Sequence, residues 1–480
     1  MRLTPLAVLI PACFLILSSM ALLCWLTMID VDDLQARLPN SGLSRTTAVA
    51  ETRPLIGTFV AGPGRPAELP GAWPQFRGEH SDGIAHDTVP LARSWPSGTP
   101  VVLWSIELGE GYAGAAVRDG RVYVLDYDEK KKADALRCLS LADGQEIWRY
   151  SYPVAVKRNH GMSRTIPAVS DKYVVALGPK CHIMCLDAKT GECYWLKDLV
   201  REFGATVPLW YAGQCPLIDG ERAIFAPGGD ALMIALDCRS GKLVWQSPNP
   251  SGWKMTHSSI MPMEFAGQKM FVYCGKGGMA GVSAEDGTRL WDTTAWGQIQ
   301  ITCPSPTILT EGRLFCAAGY ESGSVMLQLE EKDGRITAHE RFRLGPRQFG
   351  STQQTPIFHE DYLYGVRDRE RHENLVCLDL DGNEIWNSGP DATFGLGPYL
   401  VADGLLFVLD DSGLLTLAEA TPSGYKPLAQ AQVLEGHDAW APMALVAGRL
   451  LLRDFTRMVC LDVAESLPAA GPMIDDRKGP

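Results

Sequence analysis

The stretch Leu186–Trp195, read L-D-A-K-T-G-E-C-Y-W, brings a carboxylate (Asp187), a thiol (Cys193) and an indole (Trp195) together. Taken alone it has the makings of a catalytic or binding site. The stretch is not alone. L-S-L-A-D-G-Q-E-I-W ends at Trp148, L-D-C-R-S-G-K-L-V-W at Trp245, V-S-A-E-D-G-T-R-L-W at Trp291 and L-D-L-D-G-N-E-I-W at Trp386. A degenerate copy at Asp333-Gly334 has Ala338 where the Trp is expected. The turn glycines Gly144, Gly191, Gly241, Gly287, Gly334 and Gly382 are 47, 50, 46, 47 and 48 residues apart. A period in the forties with strand-turn-strand content is that of propeller blades. Asp187, Asp237, Asp379 and Asp462 therefore recur at one turn position, where the side chain accepts hydrogen bonds from following backbone N–H groups. That is a structural duty.

The remaining chemistry-bearing residues are quickly sorted. None of the nine histidines pairs at i, i+4 or in H-E-x-x-H, so no zinc site is expected. Of thirteen cysteines, Cys13 and Cys24 fall in an apolar N-terminal run. Cys138, Cys185, Cys377 and Cys460 share one strand position just before the turn, where a free thiol serves as a small buried apolar group. Cys181 and Cys185 are a close pair on one hairpin, with no metal spacing. No Gly-rich loop precedes a helix, which leaves no nucleotide fingerprint. The net charge of −12 and a pI near 5.3 argue against a nucleic-acid partner.

Candidates survive only outside the repeats. His160, His257 and His437 lie in segments that lead into blade openings, and in a propeller these segments converge on one mouth of the axial channel. With them stand Arg164, Trp210, Gln214, Gln300, Gln353 and Trp440, flanked by Arg158, Asn159, Tyr211, Trp253, Lys254, Gln354 and Asp438. Aromatic groups with convergent polar ones suit a small-molecule or peptide site. The plainer reading makes them channel-lining and loop-anchoring residues.

The elements that position them are nearly all strands from Val101 onward. Each blade opens just after a Pro, as at Pro167, Pro216, Pro262, Pro306, Pro356, Pro398 and Pro442, with Ala115-Ala116 in that place in the first. A Pro at a strand's first residue costs no ladder hydrogen bond. Counting openings predicts an all-β, eight-bladed propeller over 101–465, with blades near 113–148, 166–195, 215–245, 260–291, 304–338, 355–386, 397–426 and 441–463. The last runs out after three strands. Val102–Ile106, which carries Trp104 and precedes the first blade, is predicted to supply the fourth and close the ring.

Ahead of the propeller, Leu6–Ile29 is 24 residues of almost unbroken apolar chain, enough to cross roughly 30 Å of hydrocarbon as a helix. Arg2 precedes it, so residues 1–29 are predicted to be a single-pass inner-membrane anchor with the propeller in the periplasm. A cleaved signal would need an A-x-A site at the end of the run, and Ala48-Val49-Ala50 lies too far on. A lipid anchor would need a small residue before Cys24, where Leu23 stands. Residues 30–70 read as a tether, 71–100 as a lead-in or cap packed on the propeller, and 466–480 as a disordered tail.

The turn A-L-D-x-x-T-G-x-x-x-W, cleanest at Trp195 and Trp245, resembles the pyrroloquinoline-quinone-like (PQQ-like) β-propeller superfamily over roughly residues 72–463. The resemblance implies that Trp104, Trp148, Trp195, Trp245, Trp291 and Trp386 dock neighbouring blades, with gaps at Ala338 and at the Gly424-Tyr425 turn. The lead-in W-P-Q-F-R-G, at Trp73–Gly78, is similar to that of membrane-anchored or secreted members. One branch of the superfamily comprises quinoprotein dehydrogenases holding PQQ and Ca²⁺, usually under an adjacent Cys-Cys disulfide. This chain has no Cys-Cys pair and no long insertions. The other branch comprises non-catalytic scaffolds, among them a propeller component of the outer-membrane β-barrel assembly machinery, which bind partner proteins. The resemblance thus implies an envelope scaffold that binds a protein, peptide or ligand without cofactor or metal. The alternative is a PQQ-dependent alcohol or sugar dehydrogenase with a divergent site.

Overall fold

A computed structural model describes residues 55–86, 89–297, 303–368 and 373–465, and in it eight antiparallel sheets form the blades of one propeller. Seven blades come from consecutive strands, at 116–153, 168–198, 217–248, 261–293, 307–344, 357–387 and 399–432. Inner strands such as Tyr173–Leu177 and Leu405–Leu409 are buried at every residue. Each blade is covered on both faces by its neighbours, so its inner strands must be continuous apolar runs. An outer strand such as Leu243–Pro248 alternates, with only Trp245 and Ser247 buried.

Four strands precede the first blade: β1 (Thr58–Ala61), β2 (Ala72–Trp73), β3 (Ile84–Ala85) and β4 (Val101–Glu107). β4 pairs antiparallel with Arg457–Asp462, placing Trp104 opposite Cys460, and completes the eighth blade as predicted. The seventh blade ends in a fourth strand of its own, Pro427–Gln432, beyond its expected limit at 426.

The repeated tryptophans dock blades through the turn glycines. A Cβ on Gly144, Gly191, Gly241 or Gly287 would come within 2.8, 2.7, 2.8 or 2.6 Å of the indole of Trp104, Trp148, Trp195 or Trp245, each from the preceding blade. The Trp195 Nε1–H donates to Cys238 O at 2.8 Å, and Trp104 and Trp386 bond equivalent carbonyls of Leu141 and Thr421 at 2.9 Å. Four of these indoles stand directly across the ladder from the recurrent thiols: Cys138 opposite Trp148, Cys185 opposite Trp195, Cys377 opposite Trp386, Cys460 opposite Trp104. All four cysteines are free and buried. The repeated aspartates cap their turns, as Asp187 Oδ1 does for the N–H groups of Lys189 and Thr190 at 2.9 and 2.7 Å.

One docking indole is turned within its blade, and one expected gap is filled. Trp291 is buried in one apolar cluster with Leu327 and Leu329 of the fifth blade, but its Nε1 faces Met270 Sδ in its own blade at 3.2 Å. Gly334, the glycine it should cover, has nothing within 4 Å of a Cβ position. The docking residue of the fifth blade is Phe342 rather than position 338. Phe342 pairs with Met326 just before a bulge, as Trp245 pairs with Ala235, and its ring lies 2.7 Å from a Cβ on Gly382. Both outer strands of that blade, Gly323–Lys332 and Arg335–Leu344, have ten residues against six in Cys193–Asp198, so the turn has moved outward from the docking position. In the seventh blade Ala429 holds the equivalent place, opposite Leu417, and no large ring docks there.

The part of the expected tether that is described is fixed to the propeller. β1 pairs antiparallel with the outer strand Glu146–Pro153 of the first blade. The chain then follows the turn-bearing face of that blade toward the axis, where Ala67 N–H donates to Gly120 O at 3.0 Å. The expected transmembrane segment 1–29 and tail 466–480 lie outside the described residues. Among the described residues no helix is long and apolar enough to cross a membrane. The one α-helix among them, α1 (Leu199–Phe203), is capped by Asp198.

Candidate functional site

The lead-in sits inside the channel. β2 adds to the inner strand of the first blade, Trp73 opposite Val117, and β3 adds in parallel to the inner strand of the seventh, Ile84 opposite Val401. Residues 72–85 thus form a loop that rises from the turn-bearing face, reverses, and leaves by the same face. The reversal uses left-handed backbone at Arg77, Gly78, Ser81 and Gly83, with φ of 64, 84, 57 and 81°. Arg77 locks the loop to the sixth blade. Its Nη1–H donates to Thr355 O at 2.6 Å and its Nη2–H to Pro356 O at 3.0 Å, while Nε and Nη2 also bond Ser81 O and Asp82 O. Burial lowers the Arg77 pKa to about 10, which leaves it charged at neutral pH.

Above this loop, at the opposite mouth, is a cavity of about 120 Å³ with Phe76 in its lining. Five of the nine predicted mouth residues reach it: Arg164, Trp210, His257, Gln353 and Trp440. Their segments each lead into an inner strand, which is why they converge. His160 is exposed and outside the lining, its ring edge-on to Trp210 at 6.0 Å. Gln214 is wholly buried and spends its amide on its own blade, accepting from Ala226 N–H and donating to Ala226 O at 2.9 and 3.2 Å. His437 stands outside the cavity, three-quarters exposed, against Phe455. Gln300 lies outside the described residues.

Tyr112, Cys303 and Tyr320 also line the cavity and were not singled out from the sequence. Tyr112 leads into the first blade as His160 and Arg164 lead into the second, so its equivalence was available there. Tyr320 belongs to a connection inside the fifth blade, and its approach to Trp210, at 6.3 Å between ring centroids, had no signal in the sequence.

The electrostatics are one-sided. Among the described residues no Asp or Glu lines the cavity, and Arg164 is the one cation that does. Arg164 Cζ lies 5.1 Å over the Tyr112 ring, and Tyr112 stacks on Trp440 at 5.1 Å and 25°. Trp440 is held by its Nε1–H to Asp411 Oδ1 at 2.7 Å. The Arg164 Nη2–H has Asn159 O at 3.4 Å, and its buried Nε–H has no partner. No carboxylate stands at ion-pair distance from it among the described residues. Burial, with Arg164 nearby, lowers the His257 pKa to about 4, so the imidazole is neutral at pH 7. Its Nε2–H donates to Tyr211 O at 2.9 Å, leaving a buried Nδ1 lone pair without a partner. Burial pushes the Cys303 thiol up to about 11, so it is no nucleophile at neutral pH. Among the described residues no three His, Cys, Asp or Glu side chains are grouped to hold a metal ion.

Residues 132–381 match the profile of a protein family described as outer membrane protein assembly factor BamB. Among solved structures, BamB from Moraxella catarrhalis superposes with a TM-score of 0.53 at 16% identity, covering 76% of this chain and 100% of that one. A europium-containing methanol dehydrogenase superposes with a TM-score of 0.58 at 12% identity, covering 80% of this chain and 89% of that one. At these identities the likeness is one of fold. No curated protein sequence matches the chain.

Proposed function

Since the chain belongs to the family described as outer membrane protein assembly factor BamB, we propose that it is a non-catalytic scaffold of the cell envelope that binds a protein partner. The observation that carries this reading is the occupied axis. The Trp73–Ala85 loop takes up the channel itself, and the cavity left above it, about 120 Å³, is well below the roughly 300–1,000 Å³ of pockets that enclose a cofactor-sized ligand. The residues present also do not fit a calcium-bound quinone. Ca²⁺ takes about 6–8 oxygen ligands, carboxylates among them, and this lining offers amides and hydroxyls beside a guanidinium.

The apolar run Leu6–Ile29 behind Arg2 supports a single-pass inner-membrane anchor, with the propeller presented in the periplasm. The second reading, a PQQ-dependent dehydrogenase, is favoured only by the shared fold. To test the two, full-length protein in detergent is mixed with PQQ and Ca²⁺ and passed through gel filtration. No quinone absorbance should co-elute and no dye-linked alcohol oxidation should follow, whereas cross-linking in membranes should capture envelope proteins. Stoichiometric quinone retention with dye reduction would overturn the scaffold reading.

A further inference from the structure

We propose that the mouth cavity is a carboxylate-binding socket, in which Arg164 receives an acidic group from a peptide segment of the partner protein. The inference rests on the scaffold reading and specifies its contact. Among the described residues the largely buried Arg164 guanidinium has no counter-ion, and an uncompensated buried charge is costly. Here it is also held in place, over Tyr112 in a stack that Trp440 and Asp411 immobilise. A guanidinium offers several N–H groups matched to a carboxylate, and Arg164 brings its guanidinium to the cavity lining with one long hydrogen bond, from Nη2 to Asn159 O at 3.4 Å. Among the described residues no acidic side chain lines the cavity to compete for it.

Size and surroundings favour a peptide over a free small acid. The cavity, about 120 Å³, takes one carboxylate-bearing side chain or chain end and little else. Of its lining, Tyr320 is 57% exposed, and Leu209, next in the chain to Trp210, is 66% exposed. Residues flanking the acid would cover these two, while Trp210 and Arg164 are of the types that dominate interface energetics.

The test uses full-length protein in detergent and fluorescein-labelled heptapeptide pools, flanks drawn from Ala, Ser, Leu and Tyr, read by anisotropy. One pool is amidated with a central Glu, a second amidated with a central Gln, and a third has the central Gln with a free C-terminal acid. At least one acidic pool should bind about 10-fold or more tighter than the neutral pool. A preference for the first assigns the carboxylate to a side chain and for the third to a chain end, and both support the socket. Arg164→Gln should bring the pools within about twofold of each other, with circular dichroism unchanged, and Arg164→Lys should keep part of the preference. Equal binding of all pools, or an undiminished preference in Arg164→Gln, overturns the socket. Displacement by glutarate at the peptide's own affinity overturns the peptide assignment. If cross-linking still captures envelope partners when the socket fails, the scaffold reading stands without it.

Discussion

The ring of Phe342 covers Gly382 of the next blade, 2.7 Å from where a Cβ would stand, as Trp195 covers Gly241 at 2.8 Å. The fifth and sixth blades are thus joined by the same device as the second and third, with a phenyl ring in place of an indole. Phe342→Ala should destabilise the propeller by about 2–3 kcal/mol, somewhat under a full core Phe truncation because the side chain is only partly buried. Phe342→Trp should be tolerated, and Ala338→Trp should bring no gain in urea denaturation. Equal losses from changes at 338 and 342 would remove the assignment.

Turn glycines separate strain from crowding. Gly241 and Gly334 have similar φ, 65 and 77°, but a Cβ meets the Trp195 indole at Gly241 and nothing within 4 Å at Gly334. Gly334→Ala should therefore cost only the left-handed strain, about 1–2 kcal/mol. Gly241→Ala should cost clearly more, because the indole must give way. Melting temperatures of the two variants decide it; matching values would mean the docked indole contributes no crowding.

Arg77 holds four carbonyl oxygens, and its removal leaves them buried. Arg77→Met should lower stability by about 3 kcal/mol or more and expose the loop around Gly78 to limited proteolysis. Arg77→Lys should rescue little, since a point ammonium cannot replace a planar fork. Full protection of the loop in Arg77→Met would show that strand pairing by β2 and β3 alone secures it.

Asp134 is buried, with Oδ2 accepting from Tyr152 O–H at 2.7 Å, and burial pushes its carboxyl up to about 7. A raised folded pKa means the native state holds the proton more tightly. Its contribution to stability is complete below about pH 4 and is lost as pH rises from about 4 to about 7. His257, with its folded pKa lowered to about 4, tilts the other way: its contribution is present above about pH 6.5 and lost as pH falls toward 4. The readout is therefore the difference between wild type and Asp134→Asn, which should swing in the variant's favour between pH 4 and 7. A pH-independent difference would place the Asp134 pKa at its ordinary value.

Much of this architecture is legible in the amino-acid sequence. The period of the turn glycines identified the propeller and the blade openings counted the blades, because every blade repeats the same hairpins to pack on the next. The missing last strand in the eighth blade and the surplus Trp104 segment found each other for the same reason. Five mouth residues were legible too, since a segment leading into an inner strand must end near the axis. The move from Ala338 to Phe342 was hidden because an extended hairpin keeps its turn signal while shifting its register.

What the sequence determined by itself is the ring, since repetition is a local property written into each copy. Tertiary structure alone decided what fills the ring and which charges stay unpaired. The Trp73–Ala85 loop has no repeat partner, and its place depends on edges offered by blades far away in the chain, at Val117 and Val401. Whether Arg164 has a counter-ion depends likewise on every segment that converges on the mouth. The Leu186–Trp195 stretch, which looked most like a site, is structural because it repeats, and the socket at Arg164 was inconspicuous because it does not.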